Sequence, residues 1–212
     1  MGSAIASLVF WLGFSWRGPS WAKTSVKALP VGLLLLGALV AGQGQAYPLI
    51  LGVLAAGLVG DAFLSRPSTG GFLTGMAGFA VLHILLVAQF LAWGIDVHEL
   101  LSLYALILLV LACGLATLIF PRAGALRWPV MGYIAIIAAM ALAAIGLDAP
   151  NLPREDVITL QVGVALFVLS DALIGLEMFV LSRSSRWRLP AQLTIWPTYS
   201  VAMALFTLVA LG

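Results

Sequence analysis

The sequence predicts an all-α, polytopic integral membrane protein, built as a bundle of about eight transmembrane helices. Of its 212 residues, 63% are hydrophobic and only 8% are Asp, Glu, Lys or Arg, whereas soluble domains carry about 25% charged residues. The apolar residues are grouped in long runs that approach the roughly 20 residues a helix needs to cross a bilayer. These runs lack the alternation of apolar and polar residues that marks membrane β-strands, so helices are predicted.

Eight apolar segments follow one another along the chain. They are Ser3–Trp16, Ala28–Gly42, Pro48–Leu64, Gly71–Trp93, Glu99–Phe120, Trp128–Leu147, Val157–Leu181 and Leu193–Leu211. The connections between them, such as Ser65–Gly70, are short and rich in Gly and Pro, which leaves no room for an added soluble domain. Residues 1–212 are therefore predicted to form a single transmembrane helical domain.

The basic residues predict how the bundle is oriented. Nine of the ten Lys and Arg residues follow odd-numbered segments: Arg17, Lys23, Lys27, Arg66, Arg122, Arg127, Arg183, Arg186 and Arg188. Because Lys and Arg near helix ends stay in the cytoplasm, we expect cytoplasmic odd-numbered loops and both termini outside. In a bacterium such a bundle belongs in the inner membrane. The net charge of +2 and the lack of a clustered basic face exclude a nucleic-acid partner, and no feature specifies an oligomeric state.

Four ionisable residues lie inside the apolar segments: Asp61, His83, Asp171 and Glu177. A charge at the centre of a bilayer costs at least ~2.5–3.5 kcal/mol, so such a residue normally faces the bundle interior and has a partner. Counted from the basic side, His83 and Asp171 lie ~18 Å deep and Asp61 lies ~7 Å deep. We expect these three to share one cavity. Glu177 is rotated by ~240° from Asp171 and is expected to be structural, reaching towards arginines.

Residues around these groups extend the candidate site. Small and aromatic residues precede His83 at four-residue steps, at Gly71, Gly75 and Phe79, which predicts a buried helix face. Tyr199 follows Pro197, where a proline kink exposes polar groups to the interior, so its hydroxyl is a candidate donor. The alternative interpretation is that the aspartates and His83 have only a structural role and form a hydrogen-bonded network.

A short internal similarity centres on the two aspartates. Gly60–Leu64 in the third segment resembles Ser170–Ile174 in the seventh, four helices later and in the same direction. The similarity suggests two parallel four-helix halves.

Several mechanisms are excluded by residue count. Cys113 is the only cysteine, and His83 and His98 are the only histidines, too few for a catalytic zinc site with three histidines. Neither a Gly-x-Ser-x-Gly elbow nor a phosphate-binding Gly-Lys-Ser/Thr loop occurs. No metal or cofactor is therefore expected, and the carboxyl groups remain the chief reactive groups.

The motif residues resemble the YhhN-like membrane proteins, the TMEM86 family that includes the eukaryotic lysoplasmalogenases. The resemblance rests on Gly60, Asp61, Phe63, Leu64, Gly75, Phe79, His83, Ser170, Asp171, Phe179 and Tyr199. Their order, their spacing and the eight-helix length agree over nearly the whole chain. The chain departs from the family at positions 200–202, where the family often has a second aromatic residue and a Gln and this chain has Ser, Val and Ala.

The resemblance implies a hydrolase acting on ether bonds, which cleaves the vinyl ether of a lysoplasmalogen drawn from the membrane and needs no cofactor. A vinyl ether must be protonated on carbon, giving an oxocarbenium ion that water captures, as in glycosidases with paired carboxyl groups. Burial disfavours the ionised carboxyl, so one Asp can stay protonated as the acid. The expected roles are Asp171 as acid, Asp61 as base and His83 as relay or orienting partner.

The same resemblance implies which residues bind the substrate. Tyr199 and Ser170 are expected to contact it, and Arg66 or Arg183 is available for its phosphate. The alternative for these two arginines is that they only mark the orientation of the helices.

Other functions remain compatible with the same residues. A proton-coupled small-solute transporter also uses buried Asp and His groups and a parallel repeat. A related enzyme acting on a different lipid ether or ester would use the same acid–base chemistry. A non-catalytic scaffold gives no reason to place three ionisable groups within the bundle.

Overall fold

The computed structural model describes residues 1–41 and 49–211, in which α-helices account for nearly all regular structure. The eight helices are α1 (Gly2–Gly13), α2 (Trp21–Val40), α3 (Ile50–Leu64), α4 (Thr69–Trp93), α5 (Leu103–Ile119), α6 (Arg127–Ile145), α7 (Arg154–Phe179) and α8 (Arg188–Leu211). This confirms the predicted all-α class. Gly42 and Pro48, where two predicted segments end and begin, lie outside the described residues.

Five of these helices are long and apolar enough to cross a membrane, namely α2, α4, α6, α7 and α8, the α6 span including the short turn before it. The protein is therefore an integral membrane protein. The apolar helices α1, α3 and α5 have 12, 15 and 17 residues. At the α-helical rise even the longest of these three is ~25 Å, less than the ~30 Å hydrocarbon core of a bilayer.

Helix α2 starts earlier than predicted. Its apolar segment was expected to begin at Ala28, but the helix begins at Trp21, and the Ser20 side chain accepts a hydrogen bond from the Lys23 backbone N–H at 3.0 Å. Ser20 is thus a regular N-cap. Lys23 and Lys27, expected in a loop, lie in the first two turns of the helix, where long basic side chains can reach a polar boundary.

All the arginines and lysines except Arg154, which starts α7, lie at one end of the bundle, which we call the basic end. There α1, α3, α5 and α7 finish and α2, α4, α6 and α8 start. Contacts tie these helix ends together: the hydroxyl oxygens of Thr24 and Ser65 are 2.6 Å apart, and the rings of Phe72 and Phe179 make an edge contact at 6.5 Å.

The connections at the opposite end are joined by backbone hydrogen bonds. Ile95 and Leu147 form an isolated antiparallel bridge, which links the α4–α5 connection to the α6–α7 connection. Gly94 has a φ of 130° beside this bridge, and a Cβ there would lie 2.5 Å from the carbonyl oxygen of Asp148. Only glycine fits this position without strain.

Glycines let α3 and α4 approach closely. A Cβ added at Gly75 would lie 2.7 Å from the backbone nitrogen of Leu64, and one at Gly78 would lie 2.9 Å from that of Gly60. Small residues permit such backbone contact between membrane helices. The predicted buried face of α4 is confirmed, since Gly71, Gly75, Phe79 and His83 are all buried. This face presents His83 to the interior of the bundle.

Helix α1 is fixed to α8 at a proline. Pro197 has no N–H to bond the carbonyl of Leu193, which therefore needs another donor. The indole N–H of Trp11 on α1 donates to that carbonyl at 3.0 Å. The Trp196 indole donates in return to the Ser7 hydroxyl at 2.9 Å.

Candidate active site

Asp171 lies about two-thirds of the way along α7 and contacts polar groups from two other helices. It is eight residues, or ~12 Å, from the helix end at Phe179. Its Oδ2 accepts a hydrogen bond from the Tyr133 hydroxyl of α6 at 2.9 Å. The Nε2 of His83 on α4 is 3.5 Å from the same oxygen. The Asp171 side chain is only 7% exposed, so these contacts replace solvent.

His83 is completely buried, and aromatic rings hold it against Asp171. Its ring centroid lies 4.7 Å from that of Phe167 and 5.6 Å from that of Tyr133. Neither imidazole nitrogen makes a hydrogen bond within the part of the chain that the structure describes. The 3.5 Å separation from Asp171 is longer than an ordinary N–H···O bond, so a small rearrangement is needed to form one.

Asp61 forms a second buried cluster with residues of α2 and α8. Its Oδ2 accepts a hydrogen bond from the Tyr199 hydroxyl at 2.7 Å, and the Nζ of Lys27 lies 3.2 Å from its Oδ1. The Asp61 side chain is 1% exposed. A buried carboxylate needs such partners, because an isolated charge in a membrane is costly.

Aromatic side chains lie between the two clusters. The Tyr199 ring is 5.3 Å from that of Phe167, which in turn contacts His83, and 5.6 Å from that of Phe79. The expectation that Asp61, His83 and Asp171 share one cavity is therefore corrected: His83 contacts Asp171, whereas Asp61 has its own partners.

Asp171 borders an apolar cavity of about 720 Å³. The walls of this apolar cavity come from α3 to α7, and Asp171 and Tyr133 are the only described lining residues with polar side chains. The volume is in the range of roughly 300–1,000 Å³ typical of small-molecule sites. The most exposed lining residues, such as Leu111 and Leu169, lie on α5 and α7, so the cavity opens sideways between these helices.

A polar vestibule of about 610 Å³ adjoins the apolar cavity at the basic end. Residues that border both spaces are Leu64, Phe72, Ile174 and Met178. Basic residues of the vestibule wall are Lys23, Lys27 and Arg66. A molecule with a polar head and an apolar tail can therefore occupy both spaces at once.

The other residues predicted for substrate contact have different positions. Arg66 lines the vestibule, and its guanidinium carbon lies 3.7 Å from the centroid of the Trp21 ring. Ser170 is buried and its hydroxyl donates to the Ile195 carbonyl at 3.0 Å, bordering neither space. Arg183 is exposed in the α7–α8 connection and also borders neither space.

Glu177 is held by neighbours at the basic end. Its Oε1 lies 2.9 Å from an Arg188 nitrogen and accepts a hydrogen bond from the Gln192 amide at 2.6 Å. Glu177 is thus engaged in a contact between α7 and α8, while it also lines the vestibule.

Two residues of the site were missed by the sequence analysis. Tyr133 hydrogen-bonds Asp171 and Lys27 pairs with Asp61, yet neither belongs to a recognisable pattern. Lys27 was interpreted as a marker of orientation because it was assigned to a loop. Within residues 1–41 and 49–211, no three His, Cys, Asp or Glu side chains are grouped as a metal site.

Comparisons with known proteins identify the family of the chain. The YhhN family matches residues 22–210, which is nearly the whole chain and includes both aspartate clusters. The protein named lysoplasmalogenase TMEM86A from Bos taurus is 33% identical over 181 residues, covering 81% of this chain and 72% of that protein.

Two further relatives extend the comparison. Human lysoplasmalogenase TMEM86B is 32% identical over 197 residues, covering 91% of this chain and 76% of its own. The uncharacterized membrane protein YhhN of Escherichia coli O157:H7 is 32% identical over 130 residues, covering 59% of this chain and 60% of its own. No solved structure gives a significant match. The extent of the family match and the identity to these relatives show that the chain belongs to the YhhN family of membrane proteins.

Proposed function

We propose that the protein is a membrane hydrolase that cleaves the vinyl ether bond of a lysoplasmalogen, releasing a fatty aldehyde and a glycerophospho-base. The observation that carries the proposal is the buried carboxyl group of Asp171 on the wall of an otherwise apolar cavity. Such a cavity suits a hydrocarbon chain, and its one carboxyl group is the acid that a vinyl ether requires. The names of the two TMEM86 relatives support the same substrate class.

The first chemical step is proton transfer from Asp171 to carbon. The carboxylic acid protonates the vinyl carbon distal to the ether oxygen, and the π electrons of the double bond form the new C–H bond. An oxocarbenium ion results, and the Asp171 carboxylate left behind stabilises it electrostatically. The Tyr133 hydroxyl donates to that carboxylate at 2.9 Å and stabilises the negative charge as it develops.

Water completes the reaction and regenerates the acid. A water molecule adds to the oxocarbenium carbon, and its proton passes to the Asp171 carboxylate. The hemiacetal then collapses, and its hydroxyl proton moves to the departing glycerol oxygen. One water molecule is consumed, and one aldehyde and one alcohol are formed. The polar vestibule beside the apolar cavity gives this water a route to the site.

The different partners of the two aspartates support a division of roles. Lys27 is a cation beside Asp61 and favours its ionised form, whereas the partners of Asp171 are a hydroxyl group and an imidazole. Asp61 borders neither the cavity nor the vestibule. We therefore assign Asp61 a positioning role, through Tyr199 and Lys27, in place of the base role expected from the sequence. His83 orients Asp171.

The substrate reaches the site from the lipid. The opening between α5 and α7 admits the chain sideways, and the basic end receives the headgroup. Because Lys and Arg collect on the cytoplasmic side, this geometry corresponds to a substrate taken from the cytoplasmic leaflet, with both termini outside. The apolar lining around Asp171 favours this function over a proton-coupled carrier, whose solute path would need more polar groups.

The proposal is tested by replacing Asp171. Asp171→Asn keeps the shape of the side chain but removes the acid, and we expect aldehyde release from lysoplasmalogen to fall at least ~100-fold, as for loss of a general acid. Asp148→Asn, an exposed acid of the α6–α7 connection, is the matched control and should retain activity. Detergent-purified protein is used, because a hydrolase needs no gradient and a carrier does. Normal turnover by a folded Asp171→Asn variant would remove Asp171 from the mechanism.

A further inference from the structure

Among the basic side chains of the polar vestibule, only Arg66 has side-chain N–H donors none of which has a hydrogen-bond or ion-pair partner within the described residues. Lys27 pairs with Asp61 at 3.2 Å. The ammonium of Lys23 donates to the carbonyls of Ser15 at 2.9 Å and Arg17 at 2.6 Å, at the end of α1. Arg66, in contrast, has no carboxylate at ion-pair distance among the described residues. Its charge is therefore available to a ligand.

The position of the Arg66 side chain suits recognition of a phosphate. Its guanidinium lies over the indole of Trp21, with the guanidinium carbon 3.7 Å from the ring centroid. Stacking occupies the face of a guanidinium and leaves its N–H groups free, and their fork matches two phosphate oxygens. The Lys23 ammonium already donates to two carbonyls, so it has fewer N–H groups left for a ligand. Arg66 is the best placed anion-binding group of the vestibule.

The surrounding charges also favour an anion. Lys23 adds positive potential to the vestibule wall, whereas Lys27 is paired with Asp61 at 3.2 Å and Glu177, the carboxylate among the described lining residues, is paired with Arg188 at 2.9 Å. Hydroxyl groups at Ser65, Ser68 and Thr69 complete this side of the wall.

The vestibule also shares a wall with the apolar cavity close to the reactive acid. Ile174 borders both the vestibule and the apolar cavity, and it lies three residues, or ~5 Å, beyond Asp171 along α7. In a lysophospholipid the phosphate and the first carbons of the chain are separated by the short glycerol unit. A phosphate in the vestibule would therefore leave the start of the chain beside the apolar cavity that Asp171 borders.

We propose that Arg66 binds the phosphodiester of the lysophospholipid headgroup in the polar vestibule. The inference rests on the proposed function, because it assigns the headgroup end of the same substrate. It also predicts selectivity for lipids that carry a phosphate, because a lipid without phosphate can fill the apolar cavity but gains nothing from Arg66.

Binding of uncleavable lipids tests this inference separately from catalysis. The two probes are a 1-alkyl-glycerophosphoethanolamine and the matching 1-alkylglycerol, whose ether bonds are saturated. In calorimetric titrations of the purified protein, we expect Arg66→Gln to weaken binding of the phospholipid by at least ~10-fold, as for loss of a charged hydrogen-bonded pair. Binding of the alkylglycerol should change less than twofold, which shows that the variant is folded.

The matched control is Arg122→Gln. Arg122 also lies at the basic end, but it donates to the Leu118 carbonyl and borders neither space, so this variant should bind both lipids normally. Equal effects of Arg66→Gln on the two lipids, or none on either, would overturn the proposal. Failure of the proposed function is a different result, namely absence of aldehyde release from lysoplasmalogen by wild-type protein that binds these probes.

Inorganic phosphate distinguishes a lipid headgroup from a free anion as the ligand. We expect phosphate to compete with the alkyl phospholipid only weakly, and to lose this competition in Arg66→Gln. Phosphate that binds without displacing the phospholipid would show that Arg66 serves a free anion instead, and would contradict the assignment.

Discussion

Each of the two buried aspartates contacts one tyrosine and one nitrogen-bearing side chain, but the two nitrogen-bearing side chains differ. Each accepts a hydrogen bond from a tyrosine on another helix, Tyr199 for Asp61 and Tyr133 for Asp171. A nitrogen from a third helix completes each cluster, supplied by Lys27 in one and His83 in the other. Lys27 is an ion-pair partner of Asp61, whereas the imidazole of His83 beside Asp171 can remain neutral. Because Asp171 also borders the apolar cavity, we assign the acid role to this carboxyl group.

The hydrogen bond from Tyr133 should contribute mainly to catalysis. In Tyr133→Phe the ring still fills its place, but the Asp171 carboxylate loses a donor as charge develops on it. We expect kcat for vinyl ether cleavage to fall roughly 10- to 100-fold, since hydrogen bonds to charged groups contribute about 1.5–3 kcal/mol.

Tyr104→Phe is the control for that measurement. Tyr104 lies on α5 and is 73% exposed, so loss of its hydroxyl should leave kcat unchanged. Equal kcat values for wild type and Tyr133→Phe would mean that Tyr133 does not assist the acid.

The sequence singled out some members of the site and not others, for physical reasons. Asp61, His83 and Asp171 stand out because an ionisable group in an apolar run is costly. Tyr133 is amphipathic and common in membrane helices, so nothing in one sequence shows that its hydroxyl meets Asp171. The separation of the two clusters depends on how Phe167 and Tyr199 pack between them, which only the tertiary structure reveals.

At the scale of elements, hydrophobicity predicted the helices well and their starts less well. Six of the eight segments begin within five residues of the observed helices, while the predicted start of the third segment, Pro48, lies outside the described residues. Helix α2 was shortened by seven residues because Lys23 and Lys27 were counted as loop. The N-cap residue Ser20 was the available signal for the true start.

The close contact of α3 and α4 should depend on Gly75. A methyl group there would lie 2.7 Å from the backbone nitrogen of Leu64, which cannot move without shifting the helix that carries Asp61. We expect Gly75→Ala to destabilise the protein by about 1–3 kcal/mol, the usual cost of overpacking. Thermal unfolding in detergent measures the change.

Gly70→Ala provides the comparison within the same helix. A Cβ at Gly70 meets nothing within 4 Å, so this variant should be as stable as wild type or slightly more stable. If both variants unfolded at the same temperature, the close approach of the two helices would not limit stability.

At the scale of the whole molecule, the bundle combines a side opening for a lipid chain with a polar vestibule at one end. Helix α5 carries few buried residues, only Ala105 and Ile119, and forms one side of the opening. The arrangement matches an amphiphile that stays in the membrane while its reactive bond meets Asp171. Hydropathy alone predicted a membrane bundle, but the shape of these spaces depends on the packing of all eight helices, because α1 and α2 also line the vestibule.

Narrowing the opening should slow the use of long-chain substrates. Leu169 is 45% exposed on α7 and lines the cavity, so Leu169→Trp places a large ring in the path of the chain. We expect KM for a long-chain lysoplasmalogen to rise by roughly tenfold, about 1.4 kcal/mol, with a smaller rise for a short-chain analogue. Val162→Trp, equally exposed on α7 but away from the cavity, should leave both values unchanged. An equal rise in KM for Val162→Trp would show that any tryptophan added on α7 weakens substrate use, and that narrowing of the opening is not the cause.

The most direct test of the account follows the proton that Asp171 delivers. Purified wild-type protein is given a lysoplasmalogen in D₂O, and the aldehyde is reduced at once to the alcohol and analysed by mass spectrometry. Protonation on carbon predicts one deuterium on the carbon next to the former aldehyde carbon, a slower reaction in D₂O than in H₂O, and loss of the product in Asp171→Asn. An aldehyde without deuterium at that carbon, or its undiminished release by the variant, would contradict the proposed role of Asp171.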